Sequence, residues 1–146
     1  MLSARLPRVY LGTMTFGWAQ ASSVVDEQVA TEMARRYIAA GGRHIDTARI
    51  YSGGDCEPIV GRALATCAAE SPSAAIALGS KAHPSQPAGL SSAGIDAQLR
   101  ASLTALGTSS LSEFYLHQPD TEHALLESLQ AAHRMVVDGT AAAIGM

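Results

Sequence analysis

The sequence predicts an α/β fold with a parallel sheet, assembled from strand–helix units repeated along the chain. Three observations lead there. Short β-like runs recur at Val9–Met14, His44–Ala48, Ala75–Ala82, Glu113–His117 and Ala141–Met146. A stretch of helical periodicity lies between each run and the next. The links are short, and alternation of this kind produces parallel strands covered by helices.

Each helix carries its own signals. From Val25 to Ile38 the apolar positions Val25, Val29, Met33 and Tyr37 join Ala30, Ala34 and Ile38 in one stripe, which Gly41 and Gly42 stop. Glu57–Cys67 is a shorter, Ala-rich helix that ends before Ser71-Pro72. Ile95, Leu99, Leu103 and Leu106 form the third stripe, closed by Gly107. Leu125, Leu129, Ala132 and Val136 form the fourth, closed by Gly139, with Asp120 or Thr121 expected as its N-cap. Such units build either a barrel or an open doubly wound sheet. A doubly wound nucleotide binder has a Gly-rich turn directly after its first strand. In Leu11-Gly12-Thr13-Met14-Thr15-Phe16-Gly17 the glycines stand far apart and no helix opens at once, a poor fit. No linker or low-complexity tract divides the chain, so residues 1–146 read as one domain.

Composition narrows the function. A chain of 146 residues, 47% hydrophobic, holds a core of its own. A net charge of −3 with scattered Lys and Arg leaves no footprint for nucleic acid. No apolar run is long enough for a membrane span. Met1 to Tyr10 carries Arg5 and Arg8 but no stretch of signal-peptide length. Cys56 and Cys67 are too few for a disulfide framework or metal site and are expected reduced, on or beside one helix. The compartment implied is cytoplasmic, by default.

Four polar residues stand where strands end. Asp46 closes the second run, Tyr51 follows in the loop, Lys81 lies near the end of the third run, and His117 ends the fourth. In a barrel the C-terminal strand ends share one mouth, where catalytic groups gather. A phenol is a weak acid, of pKa about 10. A neighbouring ammonium favours its phenolate, so Lys81 would assist Tyr51 as a proton donor, with Asp46 as the partner of Lys81. His117 would orient a carbonyl oxygen. Nothing in this group transfers electrons, so a reduction would require a cofactor. Each residue alone has an ordinary reading: a turn cap for Asp46, packing for Tyr51, solvation for Lys81, a backbone hydrogen bond for His117. Three successive units placing such residues at one rim argue for chemistry.

The motifs around these residues resemble the aldo-keto reductase family. Gly42-Arg43-His44-Ile45-Asp46-Thr47-Ala48-Arg49-Ile50-Tyr51 is similar to its signature, in which Asp-Thr-Ala precedes the catalytic Tyr. Gly79-Ser80-Lys81-Ala82 resembles its lysine strand, and Phe114-Tyr115-Leu116-His117-Gln118-Pro119-Asp120 its histidine strand. Leu11-Gly12-Thr13-Met14 is similar to the first strand. The order and spacing fit from about Val9 to the last residue. The short start and the Ser52–Glu57 loop are similar to the aflatoxin aldehyde reductase branch. Two departures stand out: Glu57-Pro58-Ile59-Val60-Gly61 arrives slightly late, and Gly42 replaces an aromatic residue.

The resemblance implies a partial TIM (β/α)8 barrel of about the first five strands and four helices. It implies reduction of aldehydes or ketones with NADPH, with Asp46, Tyr51, Lys81 and His117 as the catalytic tetrad. Gly12, Thr13, Met14 and Asp46 would line the cofactor (NADPH/NADP+) site. Trp18 would line the substrate pocket with Tyr51 and His117. Ala141–Met146 resembles the fifth strand, after which the family continues with a Ser-Asn pair that contacts the nicotinamide. A whole barrel needs about 250 residues, so the chain is expected to be truncated near that strand. Its first and fifth strands would then be open edges, favouring self-association, and NADPH binding by these residues alone would be weak. The other readings are a non-catalytic, cofactor-sensing or regulatory subunit of the same fold, or an inactive truncated product.

Overall fold

The computed structural model describes residues 8–72 and 75–146. Most of the charged start, Arg5 included, lies outside the described residues. Five strands alternate with four helices: β1 (Tyr10–Gly12), α1 (Glu27–Ala39), β2 (His44–Asp46), α2 (Cys56–Glu70), β3 (Ala77–Ala82), α3 (Ser92–Leu106), β4 (Leu111–Leu116), α4 (Leu125–Val137) and β5 (Ala141–Gly145). All neighbouring strands pair in parallel, in the order β1-β2-β3-β4-β5. A doubly wound sheet reverses its order at a switch point. Here the order never reverses, so the sheet is part of a barrel wall.

Local chemistry explains the boundaries. The β1 run is shorter than its apolar pattern because Thr13 leaves the ladder after donating its N–H to Asp46 O at 3.0 Å. Helix α1 starts after Asp26, whose carboxylate accepts from Val29 N at 2.9 Å. Helix α3 starts after Ser91, whose hydroxyl accepts from Gly94 N, and ends on Gly107 in the left-handed region. The expected cap of α4 is corrected. The helix begins after Ala124, with no side-chain cap, and neither Asp120 nor Thr121 adjoins it. Asp120 instead accepts from Leu90 N at 2.8 Å and Glu122 N at 2.7 Å, tying the β4–α4 loop to the β3–α3 loop. One carboxylate oxygen closes a local turn on Glu122 N, and the other reaches Leu90 N in the neighbouring loop, so the side chain is spent before α4 begins.

The helices cover one face of the sheet. Ile45 and Phe114 point into that layer and pack with Val60, Ala63, Ile95 and Leu99, all buried. Burying a side chain of the Ile or Phe class contributes about 2 kcal/mol each. The departure at Gly42 has a local reason. A Cβ there would run into the ring of Tyr37, whose hydroxyl donates toward Val9 O and His44 O. Cys56 and Cys67 both lie on α2 as free, buried thiols, and burial pushes both up from the usual thiol range. No helix among the described residues is long and apolar enough to cross a membrane.

Candidate active site

The other face of the sheet carries the polar groups. Side chains alternate along a strand, so Asp46 shares its face with His44, Lys81 with Gly79, and Tyr115 with Glu113. The register sets Gly12 and Gly79 on either side of Asp46. A Cβ on Gly12 would meet nothing within 4 Å, so the floor beside Asp46 is open.

Lys81 Nζ is the hub. It donates to Asp46 at 2.7 Å, to Thr47 O at 2.8 Å and to Tyr51 Oη at 3.2 Å. The side chains of Lys81 and Asp46 are 13% and 29% exposed, which makes this a half-buried pair held by geometry rather than a solvated surface contact. Lys81 also stands 4.9 Å from the centroid of the Tyr51 ring. The Tyr51 and His117 rings meet edge to face, centroids 5.5 Å apart. The four residues expected at one rim are together at one rim. The His117 ring is held below the usual imidazole range by burial first, then by Lys81 and His83, while Asp46 acts the other way. It is therefore neutral near pH 7, and its buried Nδ1 has no hydrogen-bond partner.

The expected first-strand residues behave differently from one another. Gly12 faces the open floor. Thr13 is buried in the wall: its hydroxyl donates to Asp46 O at 3.0 Å and its carbonyl accepts from Phe16 N at 2.9 Å. Its polar groups are engaged within the protein, so it supplies shape and not hydrogen bonds. Met14 and Trp18 are exposed, and with Tyr51 they line a cavity of about 490 Å³ beside the Tyr51 turn; His117, expected in the same pocket, instead lines a separate cavity with Leu116 and Pro119. No group of metal-ligating side chains exists among the described residues.

One site residue is absent from the expected set. The His83 ring lies edge to face against His117 at 5.1 Å. Its Nδ1 accepts from Ser85 N at 3.1 Å, and buried Gln98 clamps its backbone, accepting from His83 N and donating to His83 O. The signal was available: His83 is two residues beyond Lys81, on the same side of an extended chain.

Comparisons with known proteins identify the family and the fold. The aldo/keto reductase family pattern matches residues 8–146. The chain belongs to the aldo/keto reductase family. Among curated relatives it is 29% identical to the aflatoxin B1 aldehyde reductase member 4 of Homo sapiens, over 99% of this chain and 42% of that protein. It is also 29% identical to a norsolorinic acid reductase of Emericella nidulans, over 97% of this chain and 39% of that one. Among solved structures, an aldo-keto reductase from Klebsiella pneumoniae in complex with NADPH superposes with a TM-score of 0.77 at 27% identity, over 96% of this chain and 45% of that one. A thermostable aldo-keto reductase bound to the inhibitor epalrestat gives 0.78 at 27% identity, over 99% and 50%. This aldo/keto reductase chain therefore spans half or less of the length of the relatives it matches.

Proposed function

We propose that this chain carries the acid–base part of an NADPH-dependent reductase that converts aldehydes or ketones to alcohols. The supporting observation is the single ammonium, Lys81 Nζ, that touches both the Asp46 carboxylate and the Tyr51 phenol. An ammonium only donates, so the Tyr51 oxygen is the acceptor in that contact. The phenol proton is thereby free for a substrate oxygen. When it leaves, the charge left on Tyr51 faces Lys81 across 3.2 Å. Asp46 and Thr47 O hold the ammonium in place meanwhile. The neutral His117 ring has one N–H to offer a carbonyl oxygen, which would fix that oxygen near Tyr51.

The residues fit the nicotinamide end of the cofactor. A Cβ at Gly12 would meet nothing within 4 Å, and Asp46 stands beside it in register. NADPH bound there would supply the hydride that the side chains lack. Trp18 and Met14, walling the cavity next to Tyr51, favour an apolar body on the carbonyl substrate.

The test is Tyr51→Phe in the reductase. Carbonyl reduction should fall by about 10²–10⁴-fold, with NADPH affinity, read by fluorescence titration, unchanged. Turnover at the wild-type rate would remove Tyr51 from the mechanism.

A further inference from the structure

Tyr51 and Lys81 ride on different segments: a tight 3-10 turn, Tyr51–Gly54, and strand β3. That turn is conformationally costly. Ser52, Gly53 and Gly54 take φ values of 52°, 65° and 106°, and Ser52 has no glycine's freedom. Something must hold it.

Ser52 Oγ anchors the front of the turn by donating to Phe16 O at 2.7 Å, and behind the sheet a largely buried chain of contacts reaches its end. Arg49 Nη2 donates to Gly54 O at 3.0 Å, the last residue of the turn. Arg49 Nη1 donates to Glu57 Oε2 at 2.6 Å. The other oxygen, Glu57 Oε1, accepts from Ser80 Oγ at 2.6 Å. Ser80 precedes Lys81 on β3 and faces the opposite side. The Glu57 side chain is 0% exposed and that of Arg49 21%. A buried ion pair is weak evidence for stability, because apolar residues of similar volume often do as well or better. Stability alone therefore does not account for a charged group at this depth.

We propose that Glu57 is a positioning residue: through Arg49 it grips the turn that carries Tyr51, and through Ser80 the strand that carries Lys81, so one carboxylate sets the spacing of phenol and ammonium. The reason this spacing matters rests on the reductase reading, but the contact itself is testable without turnover. The His117 ring lies edge-on to Tyr51 and reports where that ring sits, through the ring-current shift of its carbon-bound protons in NMR. Tyr51→Ala defines the position of the signal with no ring present. The paired variant Arg49→Met with Glu57→Leu preserves volume and removes both charges. It should fold, and the His117 signal should move most of the way toward its Tyr51→Ala position. Ser80→Ala, which deletes one hydroxyl, should move it in the same direction by less. A role confined to stability would shift the melting temperature and leave the signal in place. A wild-type His117 signal in either folded variant overturns the proposal. If the paired variant does not fold, Ser80→Ala decides alone. Failure of the reductase reading would appear instead in the turnover of Tyr51→Phe.

Discussion

Lys81 has three protons on its nitrogen and three partners, a carboxylate, a carbonyl and a phenol. That count gives Tyr51 its direction, since the phenol oxygen is held as an acceptor and its own proton faces outward. His117 contributes a pH dependence with a definite sign. Its folded value lies below the ordinary one because burial, Lys81 and His83 disfavour the imidazolium. In the unfolded chain an imidazole titrates near about 6.5. Below that pH the unfolded chain binds more protons than the folded one, so this contribution is complete above it and is lost as pH falls toward the folded value. Melting temperature followed from neutral to acid pH should decline more steeply in the wild type than in His117→Gln. Parallel curves would show that His117 is not responsible. Tyr51, Lys81, Asp46 and His117 were legible in the sequence because their motifs are local. His83 and Glu57 were not assigned to the site, since their significance depends on rings and chains packed from other units.

Helix α2 meets α3 at Gly61, where a Cβ would come within 2.6 Å of Ala105 O and 3.0 Å of Leu106 backbone atoms. In an exposed helix, Gly→Ala stabilises by about 1 kcal/mol. At this crossing the sign reverses, because backbone cannot move aside as a flexible side chain would. Gly61→Ala should destabilise by about 1–3 kcal/mol, read from urea unfolding, and a gain in stability would contradict the close approach. Asp26→Ala, which removes the α1 cap, should cost about 1 kcal/mol by the same measurement. Asp26 before α1 obeys the composition rule for caps, whereas α4 begins after Ala124 without a side-chain cap. Asp120 satisfies the caps' composition rule, yet its carboxylate is drawn to Glu122 N and then Leu90 N, and those contacts, followed by His123, hold it well below the ordinary carboxylate range. Side-chain chemistry alone does not say which N–H group will be nearest.

Among the described residues, the sheet has β1 at one edge and β5 at the other, each with a single neighbour. The face that carries the site is polar below it as well. Tyr10 and Tyr115 both donate to Glu113, at 2.8 Å each, and burial, followed by Glu113, pushes the Tyr115 phenol up to about 12. That phenol stays protonated beside Lys81, its partner in register, and does not compete with Tyr51 as an acid. We propose that the 146-residue chain on its own self-associates through its open edges. Val9 at 68% exposure borders the first edge, and Ala142 and Ala143 are exposed on the last. Sedimentation should find concentration-dependent species, and a cooperative, stable monomer would count against this.

The periodicity of the apolar residues determined the parallel α/β architecture, and the strand-end motifs determined which four side chains to watch. Both are short-range properties, written within a few residues of one another. Only the tertiary structure decided that Lys81 lies between Asp46 and Tyr51, that Thr13 turns into the wall, and that Glu57 is buried between Arg49 and Ser80. Those depend on strand register and helix crossing, which bring together residues tens of positions apart and which no local pattern encodes.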